Sequence, residues 1–215
     1  MLLLITLLFS YLLDEPIQKL SAEEKIQLEN GELVLHKRAI DSLPWPETTT
    51  YAIVEASPEE AFAVFTDFDA QEEYIPRVIE SLGKPGSQKW IKNLEIKAEV
   101  PWPVNKTSYT TGNIFEKLNN DAFRVRWFFI EAEHFHNTEG YAAFYPYKGK
   151  TLFIYQSLVE PQTAFLAQFF KGKVISENKQ VVDAIRQRIN QVAKNKKNYL
   201  SERVEKINKL LEERN

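Results

Sequence analysis

Histidine is the side chain that changes charge nearest neutral pH and the commonest metal ligand, so the three histidines are where acid–base or metal chemistry would start. They are His36, His134 and His136. His134 and His136 stand two apart beside Glu131 and Glu133, a spacing that places two donors on one strand face. A zinc site needs further ligands at defined spacing, and none presents itself, so the pair reads as a solvated turn at a strand end. His36, between Leu35 and Lys37, reads as a surface residue. The chain has no cysteine, which removes thiol nucleophiles, Cys-ligated zinc, iron–sulfur clusters and disulfides. It also lacks the GxGxxG, P-loop, HExxH and GxSxG patterns of common nucleotide sites, zinc proteases and hydrolases. No metal ligand, cofactor or catalytic residue is assigned on these grounds, and enzyme status stays open.

A second group of residues suits binding better than catalysis. Arg124 and Arg126 alternate with Phe123, Val125 and Trp127, so on a strand either arginine could face inward as an anion anchor. The alternative is that both face water while Val125, Trp127 and Phe129 point to the core. The runs FRVRWFF (123–129), YAAFYPY (141–147) and TLFIYQS (151–157) are rich in large rings and poor in Leu. Tyr141, Tyr145 and Tyr155 combine an apolar body with a polar tip, which suits a wall that holds a greasy molecule and orients it through one or two hydrogen bonds. The expected lining is Tyr74, Leu94, Ile96, Arg124, Trp127, Phe129, Tyr141, Phe153, Tyr155, Phe165 and Phe169.

The elements that must position these residues follow from periodicity. Segments 32–40 and 48–56 read as strands separated by Pro44-Trp45-Pro46. Ser57-Pro58-Glu59-Glu60 has an N-cap, a proline at the first helical position and acids in the first turn, and so begins a short helix. A second acidic turn leads to Tyr74-Ile75-Pro76. From Val78 to about Glu160 the pattern predicts some six long antiparallel strands. Turn signals fall at Lys84-Pro85-Gly86, Pro101-Trp102-Pro103, Asn119-Asn120-Asp121, His136-Asn137 and Lys148-Gly149. In 89–100 one face carries Trp90, Leu94, Ile96, Ala98 and Val100. After Pro161 the period changes to about 3.6 and a long helix is expected, with a phase slip near Lys196-Lys197.

The 215 residues are 44% hydrophobic and 13% aromatic, enough for a buried core. A formal net charge of −3 argues against nucleic acid as a partner. Residues 171–215 nevertheless hold 12 Lys and Arg against 6 Asp and Glu. This basic end reads as the solvated end of the long helix, supported by Glu–Lys pairs, with peripheral contact to an anionic membrane or a partner helix as the alternatives. Leu2 to Leu13 form an uncharged apolar run, too short to span a bilayer of about 30 Å but suited to the core of a signal peptide. Export to a periplasmic or secreted location is expected, with the run cleaved or kept as an anchor; a buried N-terminal helix is the other reading. The expected organisation is 1–18 signal-like, 19–31 a short helical spacer, 32–195 the main domain and 196–215 a charged helical extension.

The run SPEEAFAVFTDFDAQEEYIP, from Ser57 to Pro76, resembles the helical pair that opens START-like domains of the SRPBCC superfamily. Pro101-Trp102-Pro103-Val104 between two strands is similar to the family pattern, as is Ile185-Arg186-Gln187-Arg188 in a terminal helix after Glu160-Pro161. The chain departs from that pattern at Lys106-Thr107, where START proteins often continue with Arg-Asp. The resemblance implies an α+β helix-grip fold, a curved antiparallel sheet wrapped around a long C-terminal helix with a hydrophobic cavity between them. It further implies binding or carrying of a lipid or other hydrophobic small molecule. The alternative it implies is a polyketide cyclase/dehydrase-like enzyme using the same cavity, with His134, Arg124 and Tyr155 as the first candidates for chemistry. A fold of this kind implies no single function.

Overall fold

The computed structural model describes residues 16–100, 102, 104–118, 121–163, 167 and 173–212. The apolar run Leu2–Leu13 therefore lies outside the described residues, as does the expected signal-like segment 1–18 apart from its last three. Ser21 caps α1 (Ala22–Glu29) and Ser57 caps α2 (Pro58–Phe65), each in a reciprocal capping box with the glutamate three positions on. Eight strands follow one another around these helices. They are β1 (Val34–Arg38), β2 (Glu47–Val54), β3 (Val78–Pro85), β4 (Ile91–Glu99), β5 (Lys106–Lys117), β6 (Phe123–Ala132), β7 (Phe135–Tyr147) and β8 (Lys150–Pro161). They form one curved antiparallel sheet in the order β1-β2-β8-β7-β6-β5-β4-β3.

Among the described residues two long helices follow the sheet, α3 (Val174–Asn195) and α4 (Lys197–Glu212). α3 lies in the concave face with Val182, Ile185, Ile189 and Val192 buried, so the 3.6-residue stripe seen in the sequence is its sheet-facing side. It is held against β2 at both ends. Thr50 Oγ1 donates to Asn178 Oδ1 at 2.7 Å, and the Glu55 amide donates to Asn190 Oδ1 at 2.7 Å. Among the described residues no helix is long and apolar enough to cross a membrane.

The two ends of the chain depart from expectation in the same way. Segment 19–31 is no bare spacer: Leu20 and Leu28 are buried against Val34, Tyr51, Leu152 and Ile154, covering part of the sheet's convex face. Nor is α4 a solvated end. The chain breaks at Lys196, and Leu200, Ile207 and Leu211 join the main core beside α2. Asn208 Nδ2 donates to Glu59 Oε1 at 2.7 Å. Alternating charges on the outer side of α4 masked an apolar stripe that already had its partner within the chain.

The β6–β7 hairpin also differs from the reading of its sequence. The turn falls at Glu133-His134, ahead of the expected His136-Asn137. The ladder runs only from Phe123↔Phe144 to Trp127↔Gly140. Beyond it the strands part, with the Glu133 amide bonding to Ser108 on one side and the His134 carbonyl accepting from Gln162 on the other. The Gln162 side-chain amide reaches both the Ala132 and Phe135 carbonyls at 3.5 Å.

The concave face is graded along its strands. At one end Phe115, Phe123 and Phe144 come from three neighbouring strands and close around Phe62 of α2, while Phe153 of the next strand packs on Phe65 of the same helix. Phe144 and Phe153 stack at 5.1 Å. At the other end the same strands carry Thr111, Thr138 and Ser157. Large rings fill one end and short side chains leave the other empty.

Candidate functional site

That empty end is a cavity of about 320 Å³ between the sheet and the N-terminal half of α3, at the lower end of the roughly 300–1,000 Å³ of small-molecule sites. Leu94, Ile96, Trp127 and Tyr155 stand on its wall, four of the residues named from the sequence. The long strands place them there by alternation: Leu94 and Ile96 share a face of β4, and Trp127 packs on Tyr155 with ring centroids 5.2 Å apart. Gly140 permits that placement, since a Cβ there would lie 2.5 Å from the Trp127 ring and 2.2 Å from the Gln156 carbonyl oxygen.

The other expected positions fall elsewhere. Phe153 is wholly buried in the phenylalanine cluster, where it completes the core under α2 instead of lining space. Tyr74 is packed outside the wall, its ring beneath the Arg188 guanidinium at 5.3 Å. Phe129 is half-buried opposite Thr111 in the β5–β6 ladder, but the wall does not include it. Tyr141 belongs with Tyr145 to the convex-face cluster, because the period-2 alternation that buries Ala142 and Phe144 turns the odd-numbered tyrosines outward. Arg124 is also outside. It and Arg126 both bond to Glu116, through Nε to Oε2 at 2.7 and 3.0 Å, so neither anchors an anion in the cavity. Phe165 and Phe169 lie outside the described residues.

The histidines sit apart from the cavity. His36 bonds to Glu24 Oε1 at 2.7 Å, and His134 Nδ1 lies 3.1 Å from Thr107 Oγ1 in the β6–β7 turn. Among the described residues no group of three or more His, Asp and Glu is arranged to hold a metal. Of the three candidates for cyclase-like chemistry, Tyr155 alone is on the wall.

Several wall residues carried no signal in the sequence. Tyr109 is one; Trp45 is another, held by its indole N–H donating to the Val159 carbonyl at 2.8 Å. Arg77 and Glu177 face one another across the wall, 3.6 Å apart. Arg77 has φ of +66°, a left-handed residue that turns the chain into β3 while its carbonyl accepts from the Glu99 amide. Period-2 and 3.6-residue patterns find faces of regular elements, and these residues sit in connections or depend on distant pairings. Burial pushes the Tyr109 hydroxyl up to about 12, and it raises the Tyr155 hydroxyl as well, with Tyr109 adding to the effect. Both therefore stay neutral near neutral pH.

The sequence matches no protein-family model and no curated protein. Solved structures do match. The STAR-related lipid transfer protein (fragment 25–204) from Xanthomonas axonopodis aligns with a TM-score of 0.67 and 17% identity, over 74% of this chain and 94% of that one. Human StAR-related lipid transfer protein 5 aligns with a TM-score of 0.64 and 9% identity, over 79% and 93%. The chain has a START-like helix-grip fold. This helix-grip architecture extends to the Zhui aromatase/cyclase from Streptomyces sp. R1128, with a TM-score of 0.57 and 10% identity over 76% and 96%. At such identities the shared property is the helix-grip fold, while the contents of the cavity are this chain's own.

Proposed function

We propose that the protein binds and carries one lipid or other hydrophobic small molecule in the helix-grip cavity, without transforming it. The observation that carries this reading is the graded concave face: a fully packed core at one end, and at the other a space walled by Leu94, Ile96, Trp127 and Tyr155. Apolar walls gain by covering apolar surface, and the few polar groups give orientation. The fold is shared with proteins named for lipid transfer, which is consistent with this reading. Carrying is favoured over cyclase-like chemistry because His134 and Arg124 lie off the wall. Export follows in the same proposal from the apolar run Leu2–Leu13, as does peripheral membrane contact when a lipid is loaded.

The test is native mass spectrometry with organic extraction on the full chain purified from a lipid-containing host. A stoichiometric apolar adduct is expected, and Ile96→Trp, which fills the cavity, should abolish it while the melting temperature holds. An empty protein that also fails to bind a panel of apolar molecules would sink the proposal.

A further inference from the structure

The cavity holds two donors with nothing to bond. Tyr109 of β5 and Tyr155 of β8 both line it, and among the described residues neither hydroxyl has a hydrogen-bond partner. Neither belongs to the tightly enclosed polar atoms that lack partners; both give onto the open space. Both rings are partly buried, packed against the main core. Each packs on a neighbouring ring of the wall, Tyr155 on Trp127 at 5.2 Å and Tyr109 on Phe135 at 6.4 Å. A buried polar group ordinarily finds a partner, because leaving it unmade costs more than the bond itself returns. Once an apolar occupant displaces water from the cavity, the partner must come from that occupant.

The charges on the wall restrict what that occupant can be. Among the described residues they are Arg77, Glu99 and Glu177, and Arg77 already faces Glu177. Among the described residues no unopposed cation remains to receive a carboxylate or phosphate, and the three together carry a negative balance. An anion brought out of water into this space would lose its hydration without gaining a counter-charge. Neutral tyrosine hydroxyls suit a neutral oxygen.

Resting on the carrier reading, we propose that the occupant is an uncharged apolar molecule with an acceptor oxygen of ketone, ester or ether type, bonded by Tyr109 and Tyr155, and that free fatty acids and anionic lipids are refused. The test is displacement of Nile red, a neutral probe, from the full chain by three molecules of matched length: a medium-chain methyl ketone, the corresponding alkane and the corresponding fatty acid. The wild type should bind the ketone about five- to tenfold more tightly than the alkane, the worth of a single net hydrogen bond, and the fatty acid most weakly at neutral pH. In Tyr109→Phe/Tyr155→Phe the ketone should fall to the level of the alkane while alkane affinity holds. Should the double variant not fold, the single variants carry the same comparison. Equal binding of ketone and alkane by the wild type, a preference that survives loss of both hydroxyls, or tightest binding of the fatty acid would each overturn the proposal and leave the carrier reading standing. Failure of all three molecules to bind would remove both.

Discussion

Arg203 of α4 places Nη1 2.8 Å from Oδ1 of Asp67, two residues past the end of α2, and so pins α4 across the back of the molecule. Tyr199 donates to the other oxygen of the same carboxylate. The pair is partly buried, with the two side chains 23% and 13% exposed. Burial raises the Asp67 carboxyl above the usual aspartate value, and Arg203 pulls it back down.

Removing the cation should expose this tension. Arg203→Ala is expected to cost about 1–3 kcal/mol at neutral pH, less than the loss of a fully buried partner because water reaches both groups. A carboxyl whose value is raised on folding favours the folded state when protonated, so the cost should shrink as pH is lowered into the carboxylate range. Urea denaturation at neutral and mildly acidic pH measures it. An equal cost at both would mean that Arg203 acts only through packing.

Glu116 should behave in the opposite sense. Burial disfavours its charge, but hydrogen bonds from Arg126 and Arg124 outweigh this and hold the carboxyl down at about 2. Its contribution is complete above the ordinary glutamate value of 4.5 and is lost as pH falls from there toward about 2. Glu116→Gln should cost about 1 kcal/mol near neutral pH and flatten the acid limb of the stability curve over that window. A variant curve parallel to the wild type would remove Glu116 from the acid limb.

Gly140→Ala joins stability to binding. The new Cβ would meet the Gln156 carbonyl oxygen and the Trp127 ring, and the former is backbone that cannot swing away. A loss of about 1–3 kcal/mol is expected, with weaker ligand binding and altered tryptophan emission as Trp127 is pushed from the wall. Unchanged Nile red binding would show that the ring has somewhere else to go.

Phe62→Ala tests the packed end of the concave face. Phe62 is fully buried among Phe115, Phe123 and Phe144, so the cavity created should cost about 3–5 kcal/mol. Chemical denaturation gives the value directly. A cost below about 1 kcal/mol would mean that the cluster collapses to fill the gap.

Much of the fold was legible because its signals are local. Ser57 and Pro58 mark α2 by capping chemistry, Leu94, Ile96 and Ala98 mark the inner face of β4 by alternation, and the α3 stripe runs at helical period. The cavity was less legible because aromatic content does not say which end of a strand is filled. Phe153 and Tyr155 are two apart on the same face of β8, yet one completes the core and the other lines the space. That difference is made by Phe65 and Phe144, which pack on Phe153 from other elements. Tyr141 and Arg124 went to the wrong face because register, set by pairing across the sheet, decides the side on which a residue emerges. The docking of α4 was hidden for a related reason: its partner, α2, lies more than a hundred residues earlier.

The strand order has a temporal meaning. β2 pairs with β8, and Thr48 bonds to the Ser157 carbonyl 109 positions away. β1 and β2 are made before the other strands of the sheet, but the neighbour that covers the inner edge of β2 is the last of the eight, and α3 comes later still. Contacts this distant in sequence cannot form until the intervening chain has been produced, and they make the search for the native sheet slow. The eight-stranded sheet is thus completed only once β8 has been made, and until then the nascent chain offers an exposed strand edge to whatever machinery receives it.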